Sequence, residues 1–232
     1  MLQLRAWKSL SGDDRGWLKA RHHFAVDGRA ASVHGPLGCL VVWNDDEFAP
    51  GTGFPMHGHK DMEIITYVRR GAVAHKDSLG NVSRVEAGDV QVLSAGTGVR
   101  HEERNPTDQP LKIFQIWIRP REDGGAARWN SRKFPKADRA GRLVALASGD
   151  PRDTEALPIR AEACVFGATL FAGGTITHRI PPGRHAYLVS AEGVVIVNGQ
   201  RLEPRDGIAA SNEPELTITA ETDVEFILVE AA

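Results

Sequence analysis

Along the chain, short runs of Val, Ile, Leu and Thr alternate with polar positions. Between them fall clusters of Gly, Pro, Asn and Asp. This is the period of strands joined by tight turns. In the first half the pattern predicts strands near 39–43, 63–69, 72–76, 82–86, 90–94 and 111–118. Their turn signals are "RRG", "DSLGN", "EAGD", "SAGTG" and "NPTDQP". In the second half it predicts strands near 164–171, 185–190, 193–197, 207–210, 215–219 and 224–229. Asn198-Gly199 there supplies a favoured two-residue hairpin turn. Helical periodicity is scarce. The segment "GGAARWNSRKFPKADRAG", 124–141, is polar and reads as a loop-like connection.

The two halves repeat one another. "YVRRGAVAHKDSLGNVSRVEAGDVQVLSAG" begins at Tyr67 and "YLVSAEGVVIVNGQRLEPRDGIAASNE" at Tyr187. Each runs from Tyr through a strand, a Gly, a second strand and a hairpin turn to Arg-x-Glu-x-x-Asp. Those residues are Arg84, Glu86 and Asp89 in one copy and Arg201, Glu203 and Asp206 in the other. A doubled all-β unit of this size implies two jelly-roll or barrel domains. The expected division is 1–125, a linker at 126–141, and 142–232.

Two segments of the first half carry chemistry. "FPMHGHKDMEIITYV" sets His57 and His59 one residue apart, and "SAGTGVRHEERNP" does the same for His101 and Glu103. Side chains at i and i+2 share one face of an extended chain. Two such segments meeting at a barrel mouth would offer three imidazoles and one carboxylate to one point. That donor set suits borderline divalent metals, with Fe, Mn, Ni, Cu and Zn all acceptable. Without a thiolate it points to redox or Lewis-acid chemistry rather than a Cys-rich structural zinc site.

Bulk properties narrow the setting. Lys plus Arg total 28 against 30 for Asp plus Glu, a formal charge of −2, which argues against nucleic-acid binding through a broad basic surface. No run is long enough for a membrane-spanning helix, and the N-terminus lacks an uninterrupted apolar signal region. Cys39 and Cys164 lie in apolar contexts and are expected to be buried free thiols, as in a cytoplasmic protein.

"GTGFPMHGHKDME" resembles the first cupin motif, and "GDVQVLSAGTGVRHEE" resembles the second in the variant used by the pirin family. "RGWLKARHHF", "GPLGCLVVWNDDEFAPGTGF" and "FQIWIRP" extend the resemblance to bacterial pirin-like proteins over nearly the whole chain. It implies an all-β bicupin, two jelly-roll barrels packed together. One divalent transition metal, iron first among the candidates, would sit in the N-terminal barrel alone. Its ligands would be His57, His59, His101 and Glu103. Counting from Tyr187 and Asp206, the corresponding second-half slots are Thr177, Arg179, Ile218 and Ala220, which make no ligand set.

The same resemblance implies quercetin 2,3-dioxygenase activity, with a flavonol and dioxygen as partners. Glu103, a ligand with a free oxygen, would be the general base toward the flavonol 3-hydroxyl. The alternative it implies is a non-catalytic metal-binding module that docks on a protein partner. Glu63 is expected beside the site or on the strand face rather than as a ligand. His22, His23 and His75 lack paired spacing, with His75 facing either the barrel interior or the strand exterior. His178 and His185, an isolated pair seven apart, are expected on the surface or in packing. Phe48, Phe54 and Met56 are expected as core or pocket lining. A monomer is expected, because two packed barrels cover each other's sheet faces.

Overall fold

In the computed structural model, which describes residues 1–25 and 34–232, alternating burial folds the strands into four sheets, and helix is confined to two short 3-10 turns. A six-stranded sheet has the spatial order Arg128–Arg132, Val90–Ser94, Glu63–Arg70, Leu111–Ile118, Leu40–Phe48 and Leu18–His22. With it goes a four-stranded sheet ordered Gly53–His59, Val99–Arg104, Ala72–Asp77 and Val82–Glu86. The second half repeats this plan. Its seven-stranded sheet runs Leu2–Arg5, Gly207–Ser211, His185–Glu192, Val224–Ala231, Ala163–Leu170, Val144–Ser148 and Leu157–Pro158. Its four-stranded sheet runs Thr175–Arg179, Glu215–Ala220, Val195–Val197 and Gln200–Leu202. The two orders correspond strand for strand, with Leu157–Pro158 as the addition.

The edge strands are exchanged. Leu2–Arg5, at the start of the first half, pairs with Gly207–Ser211 of the second. Arg128–Arg132, in the same place relative to the second half, pairs with Val90–Ser94 of the first. The repeated Asp anchors each arrival: Asp206 Oδ1 accepts the Trp7 N–H at 2.7 Å, and Asp89 Oδ1 accepts the Phe134 N–H at 3.2 Å. The segment 124–141 is therefore not the loop-like connection its polarity suggests. It carries a strand and the 3-10 turn Lys136–Arg139, and Arg139 is completely buried. Polar residues are tolerated here because an edge strand buries only part of its surface.

Three apolar regions result. The outer face of each large sheet joins a shared core between the barrels, where Trp43, Tyr67 and Phe114 meet Tyr187, Ile227 and Val229. Two hydroxyls cross this seam in opposite directions. Tyr67 Oη donates to Glu225, which Arg139 also contacts, and Tyr187 Oη bonds the His23 ring at 2.7 Å. The interior of the second barrel is a continuous apolar cluster including Leu188, Ile208, Ile218, Phe226 and Leu228. The first barrel differs. Its interior is two smaller clusters, one around Val68 and Ile113 and one around Ile64 and Leu93. Alternation along the strands puts Thr66, Gln91 and Gln115 between them. Both thiols are free; Cys164 is buried, whereas Cys39 is only half-buried, contrary to expectation. Among the described residues no helix is long and apolar enough to cross a membrane.

Candidate metal centre

Gly53–His59 and Val99–Arg104 lie side by side with His57 opposite His101. A register shift between Phe54 and His57 kinks the first strand at the site, as β-bulges beside functional sites do. The His57 and His59 rings stand 4.7 Å apart and those of His57 and His101 4.5 Å apart. The two Nε2 atoms of His57 and His101 are separated by 3.1 Å. With metal–nitrogen bonds of about 2.0–2.1 Å, neighbouring ligands fall about 2.9–3.4 Å apart, so the spacing fits two donors on one ion.

Protonation state fits as well. His57 Nδ1 donates to the Pro55 carbonyl at 2.8 Å, which leaves its Nε2 lone pair facing inward. Burial, followed by the neighbouring His57, pushes His101 down to about 3. Burial, then His101 and His57, pushes His59 down to about 4. Neutral imidazole is the form a metal requires. The ligand atoms of His57, His59 and His101 gather within 4.8 Å of one another, and Glu103 belongs to an overlapping group with His75 and His101. Among the described residues both groups lie in the first barrel.

Glu103 is almost wholly buried and held by donors on both oxygens. Oε1 accepts from Gln91 Nε2 at 2.6 Å and Thr66 Oγ1 at 3.2 Å, and Oε2 accepts from Gln115 Nε2 at 2.7 Å. The expectation of a free carboxylate oxygen is thus corrected. A carboxylate has about four lone-pair sites, and three are taken. One remains on Oε2, for a metal or a proton but not both at once.

His75 is also inside the barrel. It lies opposite Glu103, bonds Asp77 Oδ2 through Nε2 at 3.0 Å, and stacks on Trp129 at 4.9 Å and 13°. Glu63 points the other way. Its Oε2 accepts from Ser94 Oγ at 2.6 Å, on the strand face opposite Thr66. Phe48 is core, and Phe54 packs on it at 5.2 Å with His57 5.8 Å away. His23, unremarkable by spacing, is completely buried between the barrels. Sequence reasoning missed Thr66, Gln91 and Gln115. The signal for them was one polar residue at an inward position of each of three apolar strands.

Strand registers locate the matching positions of the second barrel. Ile176 pairs with Ile218 as His57 pairs with His101, and Val195 with Ala220 as His75 with Glu103. Thr66 and Gln91 become Ala186 and Ala210. The Thr177 and Arg179 slots are one residue out, since both side chains are exposed and Ile176 and His178 face inward. The connection before Tyr187 is one residue longer than that before Tyr67, which the ungapped count could not register. His178 alone survives of the imidazoles, tied to Glu230 at 2.9 Å.

Comparison with known proteins agrees with this geometry. Residues 4–118 match the family profile described as Pirin, and residues 145–231 match one described as Quercetinase C-terminal cupin domain. A "Pirin-like protein" of Caulobacter vibrioides is 54% identical, with 100% of both chains covered. A Pseudomonas aeruginosa protein named provisionally as a quercetin 2,3-dioxygenase is 53% identical, again with 100% of both covered. Among solved structures, the bacterial pirin YhhW of Escherichia coli in complex with nickel(II) superposes with a TM-score of 0.93 at 34% identity. That match covers 100% of this chain and 99% of the other. With this fold, two cupin-type barrels and a histidine cluster in the first, the chain belongs to the pirin family.

Proposed function

We propose that the protein is a metal-dependent dioxygenase that opens flavonols such as quercetin at the 2,3 position and releases carbon monoxide. The observation that carries this reading is the imidazole trio, with His59 and His101 held neutral by burial, beside a carboxylate held in a polar layer of an otherwise apolar barrel. The names of the relatives and the nickel complex of the E. coli structure support it. His57, His59, His101 and Glu103 would hold one divalent ion, which when bound supplies Lewis acidity toward the flavonol 3-hydroxyl and a path for electrons to dioxygen.

The chain's own contribution is positional. His59 and His101, pushed down chiefly by burial, stay unprotonated at neutral pH and need no proton release to bind a cation. Thr66, Gln91 and Gln115 hold Glu103 in one orientation, so little reorganisation accompanies charge development. The single lone pair left on Glu103 Oε2 makes ligand and base alternative roles. As general base, Glu103 would offer that lone pair to the hydroxyl proton and leave His57, His59 and His101 to hold the ion.

The test is anaerobic reconstitution of metal-free protein with Fe(II), Mn(II), Ni(II), Cu(II) or Zn(II), followed by quercetin consumption and carbon monoxide detection in air. Turnover that depends on metal and is lost in His101→Ala and Glu103→Ala supports the dioxygenase. Stoichiometric metal binding with no turnover above free metal would instead favour a metal-binding module that acts on a protein partner.

A further inference from the structure

Three candidates stand out beyond the ligands themselves. The cleft among Ser148, Cys164, Arg184 and Glu230 has its charges already paired, since Glu230 accepts from Arg184 at 3.0 Å and meets His178 at 2.9 Å. The hollow beside Phe171 and Lys136 opens onto Glu225, which Arg139 and Tyr67 already occupy. The hydrogen-bond chain behind Glu103 carries more.

That chain has a fixed direction. The indole Nε1–H of Trp117 is donor only, and it meets Gln115 Oε1 at 3.1 Å. The Gln115 carbonyl is thereby assigned to Trp117, and its amide nitrogen must face Glu103, 2.7 Å from Oε2. Gln91 lacks a partner on its carbonyl, although its Nε2 also lies 3.4 Å from Thr66 Oγ1. Its Nε2 reaches Glu103, while its Oε1 is buried with no partner among the described residues. Of the two amides on Glu103, only that of Gln115 is held at both its oxygen and its nitrogen. Trp117 also sets its ring edge-on to His59, 5.0 Å away at 82°. One half-buried indole therefore touches one member of the metal cluster directly and governs Glu103 through a single amide.

We propose that Gln115, held by Trp117, is the positioning residue that aims the one unused lone pair of Glu103 at the metal site. The inference rests on the proposed ligand set. Loss of the Gln115 donor leaves the carboxylate to rotate about its remaining contacts on Oε1. Loss of the indole N–H frees the carbonyl end of Gln115, so its side chain is no longer fixed behind Glu103.

Calorimetric titration with Ni(II) and the visible absorption of the Co(II) form test this without turnover. The chains compared are the wild type, Gln115→Met, Trp117→Phe and the double variant. Methionine keeps the volume and removes the hydrogen bonds; phenylalanine keeps a ring beside His59. Expected is a Ni(II) affinity about 10- to 100-fold lower in Gln115→Met, with altered Co(II) bands. A smaller loss is expected in Trp117→Phe, and the double variant should be no weaker than Gln115→Met alone, because the indole acts through the amide.

Gln115→Met with wild-type affinity and bands would overturn the proposal. So would losses that simply add in the double variant. Trp117→Phe, at a half-buried position and retaining an aromatic ring, decides the matter if Gln115→Met does not fold: unchanged affinity and bands there reject the relay. A wild-type protein that binds neither ion would show that the ligand set itself is wrong, an outcome distinct from variants that bind like the wild type.

Discussion

His57 and His101, 44 residues apart in the chain, meet Nε2 to Nε2 at 3.1 Å. At that separation the two nitrogens can share one proton as a hydrogen bond or turn both lone pairs to a shared cation. In the metal-free protein their mutual proximity, added to burial, is what pushes His101 down to about 3.

Ni(II) is expected to raise the melting temperature of the wild type and leave that of His101→Ala unchanged. At a free concentration of 100 times Kd the gain is about 2.7 kcal/mol. Thermal unfolding with and without Ni(II), after chelator treatment, measures it. An equal rise in both proteins would place the ion elsewhere.

Glu103→Gln and Glu103→Leu are expected to differ sharply in stability. A glutamine at 103 sets a third NH2 against those of Gln91 and Gln115, and Gln91, whose Oε1 has no partner, turns to accept it. The cost is about 1 kcal/mol or less. Leucine leaves the Thr66, Gln91 and Gln115 donors without an acceptor, at about 3 kcal/mol or more in total. Urea unfolding of the metal-free variants separates the two cases, and both are expected to bind metal weakly.

Acid should destabilise the fold through His23. Burial, then the nearby Arg5 and Arg69, holds its ring well below the ordinary 6.5. Above 6.5 the ring is neutral in both folded and unfolded chains and contributes nothing to the pH dependence. As pH falls below 6.5 the unfolded chain takes up the proton and the folded one does not, so stability drops by about 1.4 kcal/mol per pH unit for this group. In metal-free protein His59 and His101 act in the same direction. His23→Gln is expected to flatten the acid limb of stability against pH; an unchanged limb would clear His23 of the role.

Breaking the seam pair should cost more than removing it. Arg139 Nη2 lies 3.2 Å from Glu225 with both side chains almost fully buried. Glu225→Ala strands the guanidinium and is expected to cost about 3–5 kcal/mol, whereas Arg139→Met combined with Glu225→Leu recovers most of it. Urea midpoints of the single and double variants settle the sign.

The histidine arithmetic was legible because period-two spacing survives any detail of barrel closure. The repeat was legible too, down to Asp89 and Asp206, although nothing in the sequence says that each Asp receives a strand from the other half. Arg128–Arg132 stayed hidden because "RWNSR" has no alternation to read, and its place is set by the exposed edge of Val90–Ser94. The donors around Glu103 were hidden for a different reason. Thr66, Gln91 and Gln115 are single polar residues in the apolar runs "IITYV", "VQVL" and "IFQIWI", and only tertiary contact shows that all three converge on one carboxylate.

The exchanged edge strands mean that the chain is built like a swapped dimer whose two protomers have been fused end to end. In a free dimer such mutual lending is lost on dilution. Here the tether turns the same exchange into a first-order event. A cut between the barrels would therefore not release two self-sufficient modules. Each fragment would carry off the strand its counterpart needs, and Trp129, which backs the His75 ring, would leave with the wrong half.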